Sequence, residues 1–337
     1  MRHLLATGLG AATLLVLGAA VEAKPEFAAK EKKDCSFCHI NPAGGGERNR
    51  RGQYYDKNKH SLAGLPLEMK SLWKLSAPAD TRRIALGDVM GDKKPRVLVL
   101  GATEDLAVMS IADDKLVKDA ELKLGPKAGS FFVGNLEKGK PAVIAVPGAI
   151  HYRSGEEFVK KSAPELTSIT GTVKFEDGEE CVFIFDSYSE PAVFGVDTSK
   201  TNPLTVGRGM VLPDQGAGIY SAIVARMSPD VISMLGWPSE FQQSGVFGLW
   251  DAYSNGTLSA WAPWMGADGS RLVFLDPAGI MGGGELKPTW RSDKLAGKIL
   301  DVAIGSDPKG SKQTGMLLLL ATGEGAKERT LEFLALD

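Results

Sequence analysis

One stretch of this chain is repeated, and the repeat limits what the chain can fold into. Leu86-Gly87-Asp88-Val89, followed by Lys94-Pro95-Arg96-Val97-Leu98-Val99-Leu100-Gly101-Ala102, is echoed by a second stretch. That is Val133-Gly134-Asn135-Leu136, then Lys140-Pro141-Ala142-Val143-Ile144-Ala145-Val146-Pro147-Gly148-Ala149, with one gap and an offset of 46–47 residues. The pattern returns in Ile169-Thr170-Gly171 with Cys181-Val182-Phe183-Ile184-Phe185, and in Ile223-Val224-Ala225 with Val231-Ile232-Ser233-Met234-Leu235. It ends in Ala303-Ile304-Gly305-Ser306-Asp307 with Met316 to Ala321, and Arg271 to Asp276 is a weaker member. Short β-branched apolar runs set between Gly, Pro, Asp and Lys read as strands and turns. Repeats at a fixed period are units that cannot bury their apolar faces alone.

Starts near 87, 134, 171, 225, 268 and 305 give a step of about 44 residues, the length of a four-stranded propeller blade. The fold class read from this is mainly β, a β-propeller of six or seven four-stranded blades over 70–337. Stacking blades in a ring covers both faces of each sheet, and closure removes the edges. The inner strands should be continuous apolar runs, as in Val97 to Leu100 and Met316 to Leu320. Leu72-Trp73-Lys74-Leu75 should pair beside Leu331 to Leu336 and tie the chain ends together. Blade count is open in the irregular stretch 236–287. The blades resemble the FG-GAP/VCBS-type propeller repeat, whose first loop is Asp-rich and often binds calcium. Asp88, Asp92 and Asp307 keep that feature, but Asn135 and Glu137 stand at the other loops. Calcium wants six or more oxygens, so the sequence does not support a calcium site.

Ahead of the repeats stands Cys35-Ser36-Phe37-Cys38-His39. C-x-x-C-H is the pattern of c-type haem attachment. Two thiols reach two vinyl groups, and the adjacent His39 becomes the proximal iron ligand. A zinc site would need two more ligands at matching spacing. The remaining cysteine, Cys181, is remote and sits in an apolar strand-like run that suggests a buried, inert thiol. A thioredoxin-like pair should open a helix after a strand, and none precedes this one. One covalent haem c is therefore expected.

Residues 1–23 read as a signal peptide: Arg2 and His3, an apolar run from Leu4 to Ala20, and small residues at Val21-Glu22-Ala23. An uncleaved anchor is the alternative; no later stretch has the ~20 apolar residues of a membrane helix. A periplasmic or extracellular location fits both the leader and the haem chemistry. Residues 24–69 form the haem segment. It holds nine Lys/Arg against five Asp/Glu between Lys24 and His60, a balance of +4, so with −2 overall and a neutral leader the remainder carries −6. A basic segment favours a redox partner with an acidic surface. Nothing resembles a nucleic-acid footprint.

A distal iron ligand must come from His60, Met69, Met90 or His151, unless the iron stays open. His60 is preferred because it lies in the same segment and Gly44-Gly45-Gly46 lets the chain fold back. Arg48, Arg50 and Arg51 are candidates to pair with the propionates, or form a solvated patch. The stretch Cys35 to Gly46, with Arg48-Asn49 and Gly52-Gln53-Tyr54-Tyr55, resembles a short monohaem segment of exported bacterial multidomain cytochromes. So short and polar a segment cannot enclose a haem alone.

Three functions remain. The first is an exported electron carrier whose propeller is a docking or assembly platform. The second is a haem-dependent propeller oxidoreductase acting on a small molecule. The third is a haem-containing assembly subunit of an extracellular complex, fibre or homo-oligomer. No acid–base set marks catalytic residues. Trp237, Trp250, Trp261, Trp264 and Trp290 read as blade core or as an aromatic docking face.

Overall fold

The computed structural model describes residues 25–41, 43–125, 131–134, 141–164, 171–175, 180–184, 192–196, 204–208, 220–226, 238–242, 245–254, 258–276 and 287–336. The leader, Asn135, Glu137, Val231 to Leu235 and Trp237 lie outside them, as does the side chain of Cys181. The chain divides into two compact units, Met1–Leu65 and Pro66–Asp337. Among the described residues no helix is long and apolar enough to cross a membrane.

The first unit is built on two short helices, α1 (Pro25–Glu31) and α2 (Arg50–Lys57), with a single 3₁₀ turn at Cys35–Phe37 between them. Its small apolar centre includes Tyr55, Leu62 and Leu65.

The second unit is mainly β. Strand β1 (Met69–Ala77) comes first. Next come β2 (Arg83–Gly87), β3 (Arg96–Leu100), β4 (Asp105–Ala112) and β5 (Lys115–Lys123). They are followed by β6 (Phe132–Gly134), β7 (Val143–Val146), β8 (Gly148–Ser154) and β9 (Glu157–Ala163). Then run β10 (Gly171–Phe175), β11 (Glu180–Ile184), β12 (Ala192–Val196), β13 (Leu204–Arg208) and β14 (Tyr220–Arg226). After these are β15 (Val246–Trp250), β16 (Ser259–Gly266), β17 (Gly269–Leu275) and β18 (Pro288–Arg291). The last are β19 (Lys298–Ser306), β20 (Thr314–Thr322) and β21 (Glu328–Leu336).

Three four-stranded antiparallel sheets have the orders β2-β3-β4-β5, β6-β7-β8-β9 and β1-β21-β20-β19. Each of the first two is one sequence repeat. The third is completed by the unit's first strand. Trp73 faces Phe333 and Leu75 faces Leu331 across β1 and β21, so the pairing expected for the chain ends is present. The Trp73 and Phe333 rings stack at 5.5 Å, and the Trp73 indole donates to Asp307 Oδ1 at 2.9 Å.

Strand β3 shows how the sheets stack. Side chains alternate across a strand. Val97 and Val99 enter a core with Ile84, Leu317, Leu319 and Phe333. Leu98 and Leu100 enter the opposite core with Ile144 and Val146. One strand therefore serves two interfaces, which is why its sequence is continuously apolar. Such runs were expected on inner strands buried on both faces. They lie on the second strand of these three sheets, β3, β7 and β20, where both faces and both edges are covered. The first strands, β2, β6 and β19, are where neighbouring sheets meet. The recurrent glycine marks this convergence: a Cβ at Gly87 would lie 2.6 Å from Val133 Cγ1, and one at Gly305 would lie 3.2 Å from Leu86 Cβ.

The separate four-stranded blades expected near 171 and 225 differ from the structure. There a nine-stranded sheet runs β13-β12-β11-β10-β14-β15-β16-β17-β18. Two antiparallel meanders are joined because β10 pairs directly with β14, Gly171 opposite Ala225. Gly171 permits this, since a Cβ there would sit 2.4 Å from the Val224 carbonyl oxygen.

A buried ion pair connects this sheet to two others. A bulge between Ile299 and Asp301 breaks the β19 register, and bulges re-aim side chains. Asp301, fully buried, accepts from Arg226 Nε at 2.9 Å, from Arg226 Nη2 at 3.2 Å and from the Ile84 backbone N–H at 2.9 Å. Strands β14, β19 and β2 thus share one carboxylate.

Candidate functional site

The stretch Cys35 to His39 is a tight helical turn. Phe37 N–H donates to Asp34 O at 2.9 Å, Cys38 N–H to Cys35 O at 3.2 Å and His39 N–H to Cys35 O at 3.0 Å. Residues three and four apart on such a turn share a face. Cys35, Cys38 and His39 accordingly line one cavity of about 210 Å³ with a predominantly apolar wall. Both cysteines are free thiols. Burial pushes the Cys38 thiol above its ordinary pKa, and the nearby Arg51 charge opposes this. The Nδ1 atom of His39 is buried without a hydrogen-bond partner.

The chain then reverses, as the glycine run predicts. Gly44, Gly45 and Gly46 have φ of 80°, 76° and 68°, a left-handed region that costs glycine nothing. Asn41 fixes the turn, its carbonyl accepting from Gly44 N–H at 2.9 Å and its side-chain oxygen from Ala43 N–H at 3.1 Å. The return strand bridges Arg48 to His39, and Ile40 N–H donates to Glu47 O at 3.1 Å. Asn49 then caps α2, its Oδ1 accepting from Gly52 N–H at 3.1 Å. Its amide nitrogen donates to Phe37 O at 3.0 Å and Ser36 O at 3.4 Å, and its own N–H donates to Cys38 O at 3.0 Å.

His60 enters the same cavity from the far end of α2. It has φ of 58°, and its N–H donates to Tyr55 O at 2.9 Å. Its ring stacks on Phe27 of α1 at 4.6 Å and lies 5.5 Å from Tyr55. The Tyr55 hydroxyl, also buried, is pushed up to about 12 by burial and the Glu31 carboxylate. His60 Nε2 is 3.6 Å from Asp56 Oδ1. Arg48 lines the wall and holds the other oxygen of Asp56 at 2.7 Å.

The cavity therefore brings together Cys35, Cys38, His39, His60 and Arg48. Arg50 and Arg51 are not in its wall; the Arg51 guanidinium instead lies 4.4 Å from the Phe37 ring centre. Met69, Met90 and His151 belong to the second unit. Sequence reading overlooked Glu31 and Asp56 as wall residues and Asn49 and Gly52 as backbone supports. The four-residue step from Asp56 to His60 and an Asn heading a helix were the available signals. Among the described residues no group of three or more His, Cys, Asp or Glu is arranged to hold a metal ion.

The calcium-type positions of the second unit cap turns. Asp88 accepts from the N–H groups of Gly91, Asp92 and Lys93 at 2.8, 3.2 and 2.8 Å. Asp92 pairs with Arg96 at 2.7 Å. Asp307 accepts from Trp73, the Lys309 N–H and Ser311 Oγ. Trp250 and Trp261 are core residues, with Phe274 6.3 Å from Trp250 and 5.7 Å from Trp290.

No family model matches the chain, and no curated protein matches it. Among solved structures it is similar to BBS1N in complex with ARL6DN, in a lead-soaked crystal. That match has 13% identity and a TM-score of 0.40, over 77% of this chain and 83% of that one. The mercury-soaked form matches at 12% identity and 0.39, over 81% and 98%. An oxidoreductase described as a glucose dehydrogenase, from Thermus thermophilus, matches at 10% identity and 0.37, over 79% and 99%.

Proposed function

We propose that this chain is an exported monohaem c-type cytochrome that carries single electrons. Its second unit is read as a closed six- or seven-bladed propeller serving as a docking or assembly platform. The observation that carries the reading is the shared cavity: the two thiols, the adjacent histidine and a second histidine converge on one apolar space.

The residues fit the group. Haem iron takes four ligands from its porphyrin and asks the protein for two, so two histidines suffice where a zinc site would need a four-ligand cluster. Cys35 and Cys38 would each add sulfur and hydrogen across one vinyl group. His39 would be the proximal ligand and His60 the distal one. Bound haem supplies a one-electron iron couple. Phe27, Ala28 and Tyr55 exclude water from one wall. Asp56 lies between His60 and Arg48, at 3.6 and 2.7 Å, so Arg48 would balance the Asp56 charge if His60 held the iron. The basic balance of this segment would draw an acidic redox partner.

Protein matured with a haem-attachment system should carry one covalent haem, read by pyridine haemochrome and by intact mass. His60→Ala should replace the bis-histidine visible spectrum with that of a five-coordinate or water-bound haem. An intact mass without added haem ends the proposal, and an unchanged His60→Ala spectrum removes His60 as ligand.

A further inference from the structure

The ligands of a bound haem do not by themselves hold Cys35 to His39 in shape. Within the turn, three backbone hydrogen bonds close the chain on itself, from Phe37 to Asp34 and from Cys38 and His39 to Cys35. Two residues of the α2 cap meet its backbone directly. The Asn49 amide nitrogen donates to the carbonyls of Phe37 and Ser36, inside the turn, while its Oδ1 accepts from Gly52 N–H. Gly52 is buried, and a Cβ on it would lie 2.1 Å from the Cys38 carbonyl oxygen and 3.1 Å from Arg48 Cβ. Backbone at that closeness has no flexible atom that can yield.

We propose that Asn49 and Gly52 are positioning residues that clamp the Cys35–His39 turn in its attachment-competent shape, through the Asn49 amide and the close α2–Cys38 approach. The inference rests on the haem reading above. The clamp acts on carbonyls and leaves both thiols and the His39 ring facing the cavity. It would set the orientation of His39 relative to the two thioether anchors. Outer-shell supports of this kind fix ligand orientation, and their loss costs about 10- to 100-fold in metal affinity or activity.

Asn49 has two separable roles. As a helix cap it needs only an acceptor, and aspartate caps as well as asparagine. As a clamp it needs N–H donors, which an ionised carboxylate lacks. Asn49→Asp therefore keeps the cap and removes the clamp, and would set a negative charge against two carbonyl oxygens.

The test compares full-length wild type, Asn49→Asp, Asn49→Ala and Gly52→Ala, each expressed with haem maturation. Haem per chain, the number of thioether bonds by mass, the visible spectrum and the reduction midpoint are measured. Far-UV thermal unfolding reports separately on the β unit. We expect Asn49→Asp to resemble Asn49→Ala, with haem incorporation down about 10-fold and a shifted midpoint in the remaining holoprotein. Gly52→Ala should show the same loss, and β-unit unfolding should not change in any variant. Wild-type haem content and midpoint in Asn49→Asp would show that Asn49 merely caps the helix, and would overturn the inference; wild-type behaviour of Gly52→Ala would overturn it equally. A wild-type chain without covalent haem overturns the haem reading itself, and the clamp falls with it.

Discussion

Removing Asp301 should strongly destabilise the β unit. Its carboxylate is fully buried and takes two hydrogen bonds from Arg226 and one from the Ile84 amide. Asp301→Ala leaves the Arg226 guanidinium, only 13% exposed, with no carboxylate to neutralise it. Breaking a buried pair from one side costs about 3–5 kcal/mol. The stranded Ile84 N–H adds about 1–3 kcal/mol. Together these give about 4–8 kcal/mol, so at about 2–4 °C per kcal/mol for a domain of this size the melting temperature should fall by at least about 8 °C. Urea and thermal unfolding followed by circular dichroism would measure it. The companion variant Arg226→Met/Asp301→Leu removes both charges and should recover the ion-pair share of the loss, because apolar replacement of a buried pair is often neutral, while the Ile84 N–H stays unpaired. A single variant that loses under about 1 kcal/mol, or a double variant as unstable as the single, would refute the reasoning that this carboxylate joins three sheets.

Leu98→Ala, in the core between the first two repeats, should cost about 2–5 kcal/mol in urea unfolding, whereas Val117→Ala, 45% exposed, should stay within about 0.5 kcal/mol of wild type. His151 is buried, and burial with the nearby Lys160 lowers its pKa from the ordinary 6.5. The unfolded chain therefore takes the proton first, so stability present above pH 6.5 is lost as pH falls toward the folded value. His151→Phe should flatten that loss in denaturant titrations carried downward through pH 6.5; an unchanged slope would show that other groups carry it. Electron transfer to an acidic partner should slow as salt rises, since Debye screening shortens from ~10 Å at 0.1 M to ~3 Å at 1 M; stopped-flow rates independent of salt would exclude electrostatic docking by the basic segment.

Local chemistry was legible wherever it depended on spacing. Cys35, Cys38 and His39 fall on one face because intervals of three and four close a helical turn, and no distant contact is needed. Gly44 to Gly46 reversed the chain as written, since only glycine takes three successive left-handed positions cheaply. The 44-residue step revealed the sheets of β2 to β5 and β6 to β9, because each of those repeats is one local meander. A continuous run reports burial on both faces, and the second strand of a sheet meets that condition as well as the first.

What the sequence determined by itself were contacts within one turn or one meander: the thiol–histidine face, the glycine reversal and the four-strand repeat. Tertiary structure alone decided which distant groups meet. It set Phe27 and Glu31 around His60, ran Asn49 into the carbonyls of the cysteine turn, and merged two meanders through Gly171. It also buried Asp301 against Arg226, 75 residues away. Such pairings depend on the close approach of separate backbones, and a local pattern of residue types does not encode which carbonyl stands opposite a missing Cβ.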